Sequence, residues 1–142
     1  LQVQVQEERA QASRSQTALH RIEDQGNHRL MTNVVVSREK GHVVSVQCKG
    51  HSGYAPEGED IVCAALSAVV QTAVLGVFRV AGVKADYHTD EDKGSLSLAL
   101  GSISEEKRRT CDAILETMLL GVKDLQEGYP AFIKLEVKDD VY

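Results

Sequence analysis

Hydrophobic and polar residues alternate along most of this chain with periods typical of strands or helices. Three consecutive valines, Val34 to Val36, predict a short first strand, and His42 to Lys49 predicts a second. The polar turn at residues 38–41 should join them as a hairpin. In the second strand we expect two faces, with Val44, Val46 and Cys48 on one and Val43, Ser45 and Gln47 on the other.

A long apolar stretch follows from Ile61 to Val80, and its roughly 20 residues are too many for one strand. The stretch therefore predicts a helix, which should be largely buried because most of its sides are apolar. Asp60 is a suitable N-cap for it. With that cap, Cys63 would be the third residue of the helix and lie within its first turn.

The second half of the chain repeats the strand and helix periods. Strands are predicted from Ala85 to Thr89 and from Ser95 to Leu100, joined by the turn at residues 90–94. Ser102 or Ser104 should cap a second helix, and Ser102 has capping-box spacing to Glu105. That helix carries one apolar stripe: Cys111, Ile114, Leu115, Met118, Leu119, Val122 and Leu125.

The second helix should end at residues 128–130, Gly-Tyr-Pro, and a final strand should run from Ala131 to Val137. The element order is therefore β-β-α-β-β-α-β. It predicts an α/β fold, a two-layer sandwich in which a mixed sheet of about five strands carries two helices on one face.

Residues 1–30 differ from the rest, because they are rich in Gln and Arg and offer little apolar surface to bury. Dense patterning begins only at Met31. We expect residues 1–30 to be a non-native or start-site extension and residues 31–142 to form a single domain. The alternative is a genuine polar extension that packs on a partner.

Composition narrows the functional classes. Of the 142 residues, 42% are hydrophobic and 26% are charged, as in soluble globular proteins, and the net charge of −5 argues against direct nucleic-acid binding. No segment has ~18 uninterrupted apolar residues, so no membrane span is predicted. The three cysteines are few, odd in number and widely spaced, which favours a reducing cytoplasm over a disulfide framework.

The loop before the first helix carries the candidate chemistry. His51 ends the second strand, and Cys63 lies near the start of the helix. A helix N-terminus and a histidine both favour the reactive thiolate over the thiol. Amides at the helix start could also hold an oxyanion. Asp60 could support the pair, although capping is its simpler role. Ser67, one helical turn after Cys63, could support the same face of the helix.

Each of these residues also has a purely structural interpretation. Cysteine in an apolar helix is most often a small core residue. A buried Ser67 could bond the carbonyl four residues earlier. Other residues of the loop could bind substrate or merely shape and pack the loop: Gly50, Gly53, Tyr54 and Gly58.

Residues 50–67 read Gly-His-x-Gly-Tyr-Ala-x-x-Gly-x-Asp-Ile-Val-Cys-Ala-Ala-x-Ser. This motif closely resembles the signature of Prp, the bacterial ribosomal-processing cysteine proteases, and the resemblance extends over residues 31–142. It implies a catalytic dyad of His51 and Cys63 and a small α/β sandwich that is usually a homodimer. The implied substrate is the precursor of ribosomal large-subunit protein twenty-seven, cut after an aromatic residue. The resemblance implies no cofactor.

Two other functions stay open. The first is a metal site drawn from Cys48, His51, Cys63, His88 and Cys111. Cys48 and His51 have the spacing of one ligand pair, but no second closely spaced pair follows. The second is a non-enzymatic, ribosome-associated module that binds proteins. Exposed Val and Leu on the uncovered face of the sheet could also pair two copies across a two-fold axis.

Overall fold

The computed structural model describes residues 31–50, 57–90 and 93–140, and the backbone alone of residues 57–60. Its elements are β1 (Thr32–Glu39), β2 (His42–Lys49), α1 (Glu57–Leu75), β3 (Asp86–Asp90), β4 (Ser95–Ala99), α2 (Glu105–Gly128) and β5 (Ile133–Asp139). A π-helical segment, Gly76–Val80, continues α1. The five strands form one sheet in the order β3-β4-β2-β1-β5, in which β1 and β5 are parallel and the other pairs antiparallel. The predicted α/β class and element order are confirmed.

The first hairpin differs from its prediction in detail. β1 is longer than the valine run, and Lys40 and Gly41 both have positive φ, 52° and 80°, as in a type I′ turn. The pairing shifts at a bulge between Ser37 and Arg38. Because a bulge displaces the alternation by one residue, Val43 is buried and Val44 only half-buried. The predicted faces are therefore wrong at these two positions.

The core lies between the sheet and the two helices. Both helices cover the sheet face that carries Val34, Val36 and Leu98, all fully buried. The apolar stripe of α2 is confirmed, with Ile114 at its half-buried border. Ser104, not Ser102, is the N-cap of α2, because its hydroxyl accepts a hydrogen bond from the Lys107 amide at 3.3 Å.

The uncovered face of the sheet is mostly polar. It exposes Asn33, Gln47, Lys134 and Glu136, with the small apolar Ala99 among them. The prediction of exposed Val and Leu on this face is wrong. The exposed large apolar side chains that the structure describes lie on the helices instead: Ile61, Leu75, Val80 and Leu120.

The first helix is less buried than its sequence predicts. Within the described residues, Ile61–Val80 is the one helix whose length and mean hydropathy of 2.2 would suffice to cross a membrane, and only 33% of it is buried. The core helix of a soluble domain can pass the same test. Here the inner side of the helix, including Val62, Leu66 and Val70, packs into the sheet.

Candidate functional site

A cavity of about 410 Å³ opens where α1 passes the ends of β2 and β4. Its apolar side is formed by Leu66 and Val70 of α1 and Leu96 of β4. Thr32, Cys48, Gly50 and Cys63 line it at the end where β1 begins and β2 ends, and Ser67 and Gln71 line its helical rim. The cavity therefore brings together α1, the central strands and the end of the loop that the sequence singled out.

Cys63 is half-buried on α1 and lines this cavity. Its sulfur lies 3.5 Å from Oγ1 of Thr32, the first residue of β1. The structure thus places the predicted nucleophile between the helix and the sheet, at a cavity where another molecule could reach it.

The start of α1 corrects the predicted setting of Cys63. The helix begins at Glu57, so Asp60 is not its N-cap and Cys63 is its seventh residue, beyond the first turn. The free amides of a helix are confined to its first four residues, so the amide of Cys63 is not a free oxyanion donor. The sequence does not distinguish the two possible starts of the helix. Asp60 is itself a good N-cap, and Pro56 and Glu57 also suit a helix start.

Gly50 directly follows β2 and connects it to the turn between β3 and β4. Its amide donates to the carbonyl oxygen of Gly94 at 2.8 Å. A Cβ atom at Gly50 would lie 3.2 Å from that same oxygen and 3.4 Å from Oγ1 of Thr32. Glycine therefore permits a close approach here, directly before His51 in the chain.

The remaining predicted site residues have different outcomes. His51, Gly53 and Tyr54 lie outside the described residues. Gly58 belongs to the first turn of α1. Ser67 is exposed at the rim of the cavity, so the interpretation of Ser67 as a buried residue is wrong.

The other two cysteines are core residues. Cys48 lines the inner end of the cavity but is buried, and burial raises the pKa of its thiol to about 12. Cys111 is fully buried on α2, and burial raises its pKa as well. A thiol with a raised pKa is a poor nucleophile near neutral pH, because only the thiolate attacks. Because Cys48 and Cys111 are buried, Cys63 is the accessible thiol among the three.

A metal centre finds no support among the residues that the structure describes. They contain no group of three or more His, Cys, Asp or Glu side chains that could hold an ion. His88, one of the proposed ligands, is exposed on the edge strand β3.

Sequence reasoning missed several residues of the cavity. Tyr87, Thr89 and Asp90 reach it from β3, and Thr32 from β1. The β3 residues carry no motif, and only the sheet order brings them to the site. Thr32 did carry a signal, because it precedes Val34 and Val36 at the same alternation and is a polar residue in an inward position.

Comparison with known proteins identifies the family. The model of the family described as cysteine protease Prp matches residues 31–134. The ribosomal processing cysteine protease Prp of Bacillus subtilis is 31% identical over 94 residues, which are 66% of this chain and 83% of that protein. Its namesake from Staphylococcus aureus is 27% identical over 109 residues, 77% of this chain and 100% of that protein.

Solved structures share the fold. SMU.848 from Streptococcus mutans superposes with a TM-score of 0.71 at 29% identity, covering 78% of this chain and 96% of that one. Prp from S. aureus, crystallised in complex with a substrate peptide, superposes with a TM-score of 0.68 at 27% identity, covering 76% and 100%. Since the family model spans most of the chain and the fold agrees, this chain belongs to the Prp family and is a cysteine-type peptidase.

Proposed function

We propose that this peptidase removes the N-terminal extension from the precursor of ribosomal large-subunit protein twenty-seven. Cys63 is the nucleophile and His51 the general base and acid. The observation that carries the assignment is that Cys63 lines an open cavity at the end of β2, whereas Cys48 and Cys111 are buried. The names of the relatives, ribosomal processing cysteine proteases, support the substrate class.

The reaction follows from the two side chains. His51 accepts the proton of the Cys63 thiol, and the sulfur forms a bond to the scissile carbonyl carbon. The C–N bond then breaks, and His51 gives the proton to the departing amine. Water, deprotonated by His51, attacks the thioester and releases the carboxylate product and the thiol. A Prp from S. aureus has been crystallised with a covalently linked product peptide, which supports a covalent intermediate of this kind.

Cleavage of the purified precursor, read by intact mass, tests this function. The parent should release one defined N-terminal peptide, and Cys63→Ala and His51→Ala should release none. Cys111→Ala serves as the matched thiol control and should cleave like the parent, because Cys111 is buried on α2 and does not line the cavity. If Cys63→Ala cleaves normally, the nucleophile is assigned wrongly. If the parent binds the precursor without cutting it, the chain acts as the non-enzymatic protein-binding module.

We propose further that the peptidase is a cytoplasmic homodimer that binds neither nucleic acid nor membranes. The apolar groove between α1 and α2, with a volume of about 910 Å³, supports the dimer. Leu75 and Val80 border it and are 50% and 74% exposed. A second copy placed across a two-fold axis would cover the same apolar residues on both chains. The net charge of −5 supports the absence of nucleic-acid binding. The three cysteines, few and odd in number, support a reducing compartment.

A further inference from the structure

Thr32 is a polar residue in a core position. Its side chain follows the inward alternation of Val34 and Val36, and it is only 5% exposed. Burying a hydroxyl costs free energy unless the hydroxyl finds a hydrogen-bond partner. The Thr32 Oγ1 lies 3.5 Å from Sγ of Cys63, within hydrogen-bonding distance for sulfur. The contact therefore gives a buried polar group a partner at the proposed nucleophile.

The backbone fixes Thr32 from both sides. Its amide donates to the carbonyl oxygen of Phe132 at 2.9 Å, and it pairs with Ile133 in the parallel ladder of β1 and β5. Gly50, opposite it at the end of β2, approaches closely enough that an added Cβ would meet Oγ1 at 3.4 Å. A β-branched side chain also has restricted χ1 rotamers. The hydroxyl is thus held in place before any substrate arrives.

We propose that Thr32 is a positioning residue for Cys63, whose hydroxyl donates a hydrogen bond to the thiolate and holds the sulfur at the cavity. The inference rests on the proposed role of Cys63 as nucleophile. A hydrogen bond donated to the charged form favours that form, and bonds to ionised acceptors are the stronger ones. Thr32 itself forms no covalent bond and exchanges no proton with the substrate.

Thr32→Val removes the hydroxyl and keeps the branched shape, whereas Thr32→Ser keeps the hydroxyl. The test is the pH dependence of Cys63 alkylation by iodoacetamide, followed by peptide mass mapping so that Cys48 and Cys111 are counted separately. Thr32→Val should raise the midpoint by about one pH unit. The kcat/KM for the precursor at neutral pH should fall about tenfold and recover as the pH rises. Thr32→Ser should keep a midpoint near that of the parent.

Thr110→Val is the matched control. It removes a hydroxyl that bonds the Glu106 carbonyl on α2, away from the cavity residues, and should leave the midpoint unchanged. If Thr32→Val folds poorly, Thr32→Ala removes the same hydroxyl without adding a methyl group and should shift the midpoint in the same direction.

The outcomes separate this inference from the proposed function. A folded Thr32→Val or Thr32→Ala protein with the parental midpoint would overturn the positioning role, even if Cys63→Ala abolishes cleavage. Cleavage that survives Cys63→Ala would overturn the proposed nucleophile, while the alkylation midpoint would still report whether Thr32 acts on the thiol.

Discussion

The hydroxyl oxygen of Thr32 lies 3.5 Å from the sulfur of Cys63, although 31 positions separate the two residues in the chain. One residue opens the strand β1 and the other lies in the second turn of α1. The proposed nucleophile is therefore held between two regular elements. A site built on helices and strands is positioned more precisely than one built on loops alone.

Replacing Gly50 with alanine should lower activity. The new Cβ would lie 3.2 Å from the Gly94 oxygen and 3.4 Å from the Thr32 hydroxyl, so the end of β2 or its neighbours must shift. We expect kcat/KM for the precursor to fall about tenfold, because small displacements at a reacting pair are costly. Gly101→Ala is the control, since nothing lies within 4 Å of its added Cβ. An unchanged kcat/KM for Gly50→Ala would show that the close approach is unimportant.

The buried thiol of Cys48 should make stability depend on alkaline pH. Burial raises its pKa from 9.0 to about 12, so the unfolded chain loses this proton first. The contribution of the buried, protonated Cys48 thiol to the free energy of unfolding is complete below pH 9 and is lost as the pH rises towards about 12. Over that window the free energy of unfolding of the parent should fall faster than that of Cys48→Ala, by up to about 1.4 kcal/mol per pH unit. Denaturant melts at several pH values measure the difference, and parallel pH profiles would contradict the burial of this thiol.

The ion pair between Arg38 and Glu116 should contribute to stability without affecting catalysis. The guanidinium donates two hydrogen bonds to the carboxylate, at 3.1 Å and 2.7 Å, and this carboxylate raises the pKa of Arg38. We expect Glu116→Gln to lower the free energy of unfolding by about 1 kcal/mol, and less at high salt, because both groups are partly exposed.

Urea unfolding at two salt concentrations measures this effect, with Glu127→Gln, an exposed carboxylate on the same helix, as control. Arg38, which forms the ion pair with Glu116, lies near the end of β1 opposite Thr32, roughly 20 Å along the strand. The kcat/KM should therefore stay at the parental value. If Glu116→Gln lowers kcat/KM without lowering the free energy of unfolding, Glu116 contributes to the active site instead.

A charge in the helical groove should separate the proposed dimer. Val80→Glu adds a carboxylate at a 74% exposed apolar position beside the groove, where burial against a second copy would be costly. We expect light scattering to report a monomer for Val80→Glu and a dimer for the parent. Ala99→Glu adds the same charge to the uncovered face of the sheet and should remain dimeric. Dissociation by Ala99→Glu alone would move the interface to the sheet.

Local periodicity was sufficient for most of the fold. The alternation in β2 and β4 and the apolar stripe of α2 predicted their elements because each pattern reports which side of one element is buried. The predicted faces of β2 were wrong at Val43 and Val44, because a bulge depends on how the strand pairs with its partner. The predicted start of α1 at Asp60 was wrong, because several residues in this stretch can begin a helix and the structure begins it at Glu57.

The sequence alone determined the order of the elements and, through the motif at residues 50–67, the candidate nucleophile Cys63. Tertiary structure decided which cysteine is accessible at the cavity and which two are buried. It also brought Thr32 to the sulfur of Cys63 and left the apolar face on the helices rather than on the sheet. The physical reason is that periodicity is a property of one element, whereas burial and contact depend on how separate elements pack.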